Sequence, residues 1–125
     1  MANMAQDQRD FMYMGNQTTT EYNPKQQDLY LKLIEEEWDE LYYACCNNEP
    51  DEHQLKEATD LLVVTLGFIY SFGIDPNEVW NLVHANNMAK VNETVIKDEN
   101  GKIMKSPESI ARKEKMMESI RKLLK

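Results

Sequence analysis

Apolar and polar positions follow the 3.6-residue rhythm of helices along most of the chain, and clear punctuation separates the segments. Phe11, Met12 and Met14 lie in a first segment, 4–15, that stops at Gly15, so a short helix is expected there. A polar loop, NQTTTEY, follows. Asn23–Pro24 then pairs an N-cap with a proline at the first helical position and opens a second helix, which runs to Cys46. NNEPDE reads as a tight connection, with Pro50 near the start of a third helix that ends at Gly73. Asp75–Pro76–Asn77–Glu78 has the form of a capping box with proline at its first helical position, and it predicts a fourth helix to Lys90. In TVIKDENGKIMK an Asn–Gly separates two short β-prone runs, the pattern of a small hairpin or extended flap. Ser106–Pro107 caps a last amphipathic helix carrying Ile110, Met117, Ile120 and Leu124 on one side. The pattern predicts an all-α fold: an antiparallel bundle of four to five helices with a small C-terminal hairpin. One domain is expected over 1–125, with its core at about 24–90 and the flap and last helix at 91–125.

One stretch breaks the simple picture. LIEEEWDELYY, residues 33–43, packs five acids into the middle of the second amphipathic helix. Successive residues on a helix are about 100° apart. With Glu37 at zero, Tyr30, Leu33, Ile34, Leu41 and Ala44 fall within roughly 60° on either side, so Glu37 sits at the centre of the apolar stripe. Glu40 lies in the same stripe and Glu36 at its edge, whereas Glu35 and Asp39 face the opposite, solvated side. The third helix repeats the arrangement: Leu61, Val64 and Phe68 surround Glu57, with Asp60 on the same side. If the two helices form an antiparallel hairpin about Asn48–Glu49, both acidic pairs stand at the same distance from the turn and meet at one level. Ionised carboxylates crowded into an apolar groove would protonate unless a cation compensated them. Oxygen-only donors favour a hard ion, Mg²⁺ with Mn²⁺ as a substitute. A di-iron carboxylate bundle would need Glu-x-x-His motifs, and neither His53 nor His84 stands three residues after a glutamate.

Composition narrows the function classes. A net charge of −8 argues against a nucleic-acid binder, because phosphate backbones select basic surfaces. It leaves open small phosphorylated substrates that meet the carboxylates through a cation. The adjacent cysteines Cys45 and Cys46 read as free thiols. The apolar run from Leu61 to Tyr70 is too short to span a bilayer, and the polar N-terminus has no signal-peptide core. A cytoplasmic protein with no membrane partner is expected. The third helix is apolar nearly all round, with Leu62, Val63, Leu66 and Ile69 beyond its inward face, which suggests that a second subunit covers it.

Glu36–Glu37–Trp38–Asp39–Glu40 followed by Glu57–Ala58–Thr59–Asp60 resembles the EExxE…ExxD signature of the all-α nucleoside triphosphate pyrophosphohydrolases. That superfamily includes MazG, the dimeric dUTPases, the dCTP pyrophosphatases and phosphoribosyl-ATP pyrophosphohydrolase. GIDPNEVWNLVHANNMAKV is similar to the segment that follows in MazG-like proteins, and ENGKIMKSP to the tail of short, single-domain members, many of them phage-encoded. The similarity covers roughly 25–107. A short linker between the acidic pairs, with no long insertion, argues against a two-domain MazG or a full dimeric dUTPase.

The resemblance implies that Glu37, Glu40, Glu57 and Asp60 hold Mg²⁺, with Glu36 as a further ligand or as the group that orients water. Asn87 and Lys90 match the Asn-x-x-Lys of the related SNMSK segment, which implies contacts to phosphate or sugar. Asn86 stands beside them, and the two asparagines can exchange roles. Lys102 and Lys105 would form a positive flap over a triphosphate, or else a solvated hairpin. Trp38 and Trp80 are read as core or interface aromatics ahead of base-stacking platforms. The implied reaction is Mg²⁺-dependent cleavage of an NTP or dNTP between the α- and β-phosphates. Glu36 or Glu37 would activate the water, and Lys90 would stabilise the developing charge. The implied assembly is a homodimer or a dimer of dimers. Two alternatives stand beside this reading: phosphoribosyl-ATP hydrolysis, and a non-catalytic helical module with a structural metal.

Overall fold

The computed structural model describes residues 3–91, 97–103 and 107–124. These are all-α, in five helices: α1 (Met4–Met14), α2 (Pro24–Cys46), α3 (Asp51–Tyr70), α4 (Pro76–Val91) and α5 (Pro107–Leu123). The chain divides into two compact units, Met1–Pro76 and Asn77–Lys125. Among the described residues no helix is long and apolar enough to cross a membrane.

The first unit is an α2–α3 hairpin with α1 packed on α3. Asn23 caps α2 through its Oδ1, which accepts from the Gln26 amide at 3.1 Å, and Pro24 needs no partner at the first position. The hairpin turns at Asn47–Pro50. Asn48 takes the left-handed conformation there (φ +50°), one that asparagine tolerates better than most residues. Gln54 Nε2 reaches back to the Glu49 carbonyl at 2.8 Å, tying the start of α3 to the turn. The acidic first turn of α3, Asp51 and Glu52, complements the helix dipole.

Tyr30 is buried on α2, and its ring lies directly over Gly67 of α3. A Cβ added at Gly67 would fall well inside contact distance of three Tyr30 ring carbons. The Tyr30 hydroxyl donates to Gln17 Oε1 from the loop before α2. Burial raises the pKa of that phenol above its ordinary value. Gln26 is the second fastening. Its buried amide donates to the Thr18 carbonyl and to Ser71 Oγ, at 2.8 and 2.9 Å, while its Oε1 accepts from the Thr18 amide. Ser71, fully buried, also accepts the Asn23 amide on its carbonyl at 2.9 Å. The third helix therefore stops at Tyr70, before the Gly73 expected from the sequence. A turn carries the chain on to Gly73, whose φ of +77° and close approach to the Glu21 backbone both favour glycine.

In α1 the inward residues are Ala5, Gln8 and Met12, while Phe11 and Met14 point to solvent. The Tyr70 hydroxyl donates to the Ala5 carbonyl at 2.6 Å, which fixes α1 against the end of α3.

In the second unit the Asn–Gly signal has produced a tight turn. Asp98 Oδ1 accepts from the Asn100 and Lys102 amides at 2.9 Å each, and Gly101 takes φ +81°. Lys97 and Ile103 form one antiparallel bridge. The rest of the expected flap, 92–96 and 104–106, lies outside the described residues.

Gly67→Ala tests the close approach. Alanine in a helix interior is favoured over glycine by roughly 1 kcal/mol, but overpacking against a ring costs about 1–3 kcal/mol. Urea unfolding is expected to show a net loss. A gain would mean that the ring has room to move.

Candidate metal centre

The hairpin register brings three carboxylates together. Oxygens of Glu37 and Glu40 from α2 and of Glu57 from α3 lie within 4.8 Å of one another. Glu57 is only 5 % exposed, Glu37 is half-buried and Glu40 is open to solvent. Glu40 thus stands further out than its place in the apolar stripe suggested.

The electrostatics show the strain of this gathering. Among the described residues, Oε2 of Glu37 and Oε2 of Glu57 are both buried with no hydrogen-bond partner. Buried carboxylate oxygens left without a donor are costly and uncommon. The Glu57 carboxylate, within reach of a shared proton, and the charge of Glu37 push the Glu40 carboxyl above its ordinary pKa. A lysine and a histidine ring stand beside these acids. His53 Nε2 lies 3.2 Å from Glu57 Oε1, and its Nδ1 lies 3.1 Å from Glu49 Oε1. Lys56 Nζ lies 3.6 Å from Glu57 Oε1 and 2.8 Å from Asp60 Oδ2.

Asp60, on the next turn of α3, is partly exposed and engaged by Lys56 rather than gathered into the trio. Glu36 is exposed at the edge of the α2 stripe. On the second unit, Asn86 is buried with its Oδ1 unpartnered, and Asn87 is exposed. Lys90 Nζ donates to Asn87 Oδ1 at a long 3.5 Å. Lys102 is exposed beside the Gly101 turn, and Lys105 lies outside the described residues. Trp38 and Trp80 are both exposed; Trp80 stacks on His84, with 6.1 Å between centroids and 12° between planes.

His53, Lys56 and Glu49 were not singled out from sequence. Their signal was the i, i+4 spacing of Glu49–His53–Glu57 and Lys56–Asp60, which places each cation over a carboxylate one turn away.

A helical hairpin with three facing carboxylates, two of them carrying unpartnered buried oxygens, defines a class of all-α proteins whose chemistry is built from inward acids on neighbouring helices. Comparison with protein families identifies which. Residues 8–87 match the family model described as phosphoribosyl-ATP pyrophosphohydrolase, and the chain belongs to that family, within the MazG-like superfamily. It is a pyrophosphohydrolase, a hydrolase acting on phosphoric anhydrides. Comparison with curated proteins finds no match. The matched segment includes Glu36, Glu37, Glu40, Glu57, Asp60, Asn86 and Asn87, and ends before Lys90.

The raised pKa of Glu40 has a definite pH signature. Between its ordinary value of 4.5 and the raised one, the folded chain binds more protons than the unfolded chain, so stability falls as pH rises through that window. Thermal melts of chelator-treated protein are expected to show this decline, and Glu40→Gln to flatten it. An unchanged slope in the variant would refute the coupling.

Proposed function

We propose that the chain is a Mg²⁺-dependent nucleoside triphosphate pyrophosphohydrolase, converting an NTP or dNTP to its monophosphate and pyrophosphate. The observation that carries this reading is the gathering of Glu37, Glu40 and Glu57 carboxylate oxygens within 4.8 Å, with one buried oxygen each on Glu37 and Glu57 unpartnered among the described residues. Donors of this kind fit a hard divalent cation, because they are carboxylate oxygens, two of them without a hydrogen-bond partner among the described residues. Glu37, Glu40 and Glu57 would hold the ion, with Asp60 joining from the next turn of α3, and Mn²⁺ would serve in place of Mg²⁺.

When bound, the ion neutralises phosphate oxygens and acidifies a water. The protein's own groups do the rest. Glu36 or Glu37 accepts a proton from the attacking water and aligns it on the anhydride phosphorus. On the second unit, Asn87 and Lys90 offer an amide and an ammonium to phosphate or sugar oxygens, with Asn86 able to share the amide's part. Lys102 and Lys105 add positive charge for the outer phosphates. The monophosphate and pyrophosphate leave once the bridging bond is broken.

A second reading has its own support. The matching family is described by phosphoribosyl-ATP hydrolysis, which breaks an anhydride by the same chemistry. A panel of NTPs, dNTPs and phosphoribosyl-ATP, assayed for pyrophosphate with Mg²⁺ and with chelator, separates the two. Chelation is expected to abolish release. Glu40→Gln or Glu57→Gln should lower it by about a hundredfold or more while the helical circular-dichroism signal persists. Undiminished release in either variant would sink the site assignment.

We also propose assembly as a homodimer or homotetramer. Leu62, 42 % exposed, and Met4 and Phe11 line an apolar groove between α1 and α3 that the first unit leaves open. Sedimentation should give a multiple of the 14.7 kDa chain mass. A monomer would count against it.

A further inference from the structure

We infer that Lys56 is a built-in counter-ion of the carboxylate centre, one that gives up its carboxylates when a divalent cation binds and so sets the affinity for that cation. This rests on the reading of Glu37, Glu40, Glu57 and Asp60 as a metal site.

The argument starts from the partners of each acid. Lys56 Nζ is bonded to Asp60 at 2.8 Å and stands 3.6 Å from Glu57, so one ammonium serves two of the four carboxylates proposed for the cation. Its position beside the site is therefore favoured by more than one acid.

Its hold is nevertheless weak enough to release. The Lys56 side chain is 65 % exposed, its partner Asp60 is a third exposed, and the pair is an i, i+4 bridge on one helix. Glu57 is the reverse case: almost entirely buried, with its Oε2 unpartnered even though Lys56 and His53 both attend Oε1. A flexible ammonium with three donors reaches the outer oxygen and leaves the inner one empty. A small divalent ion seated between the helices would satisfy the inner oxygens, and its double charge would make Lys56 redundant at Asp60. The same lysine that steadies the metal-free acids therefore opposes loading. His53 acts alongside it on Glu57, but Glu49 shares that ring, and among the described residues Lys56 is the cation that engages Asp60.

Mn²⁺ binding to the full chain, measured by calorimetry and by the electron paramagnetic resonance of free Mn²⁺, tests this without turnover. Lys56→Gln is expected to bind Mn²⁺ about three- to fivefold more tightly than wild type. Its metal-free melting temperature should be lower, and its rise on adding Mn²⁺ larger. Lys56→Arg should restore wild-type behaviour in part. Lys25→Gln, the same charge change near the start of α2, should leave the affinity near wild type. Unchanged or weaker Mn²⁺ binding in Lys56→Gln, with wild type binding normally, overturns this inference and leaves the metal site standing. Equal tightening in Lys25→Gln also overturns it, by showing a general charge effect. A wild-type chain that binds no Mn²⁺ overturns the metal assignment and this inference together.

Discussion

The close approach of α2 and α3 is the constraint on which the molecule depends. It is made possible at one point, where Gly67 has no side chain and the Tyr30 ring occupies the space. Ten residues towards the turn from each of them stand Glu40 and Glu57. Because the helices run antiparallel, the register that seats the ring on the glycine also brings those two acids level. A wider spacing would let water between the helices and leave the acids separately solvated. The polar clasp of Gln26 with Thr18 and Ser71 holds the far end of the same hairpin, so neither helix slides along the other.

That geometry turns an ordinary surface chemistry into a charged interior. Glu57 is the pivot, since it is the buried member of the trio and the one both His53 and Lys56 attend. Desolvation and mutual repulsion act against it, and three neighbours stand close: an imidazole on one side, an ammonium on the other and the Glu40 carboxyl, whose pKa Glu57 helps to raise. None of the three reaches the inner oxygens of Glu37 and Glu57. In the reaction proposed above, the substrate brings several negative charges of its own, which a trio so acidic would meet through positive intermediaries.

Helix boundaries were largely legible in the chain because capping chemistry is local. Asn23–Pro24, Pro50, Asp75–Pro76 and Pro107 mark starts that the structure places within a residue. The inward placement of Glu37 and Glu57 was legible because both lie at the centre of an apolar stripe. What escaped was set by neighbours outside the helix concerned. Met12 rather than Phe11 is buried because α3 and the loop after α1 cover that face. Gln26 and Ser71 look like solvated residues until the loop through Thr18 folds over them. Glu40 shares a stripe with Glu37 yet lies in the open, since α3 covers the middle of the stripe and not its margin. Asp60, expected on the inward face, is a third exposed, and a lysine that periodicity alone would leave in solvent engages it.

All of the gathered acids come from one unbroken stretch of chain, between Glu37 and Glu57, closed by a turn of a few residues. Closing so short a loop carries a small entropic penalty, and low contact order speeds folding. The centre therefore belongs to the part of the molecule able to form earliest, as soon as α3 has left the ribosome and before α4 is complete. A nascent chain would then carry its acidic cluster for some time before the rest of the protein exists, with Lys56 and His53 already in the same segment to neutralise it.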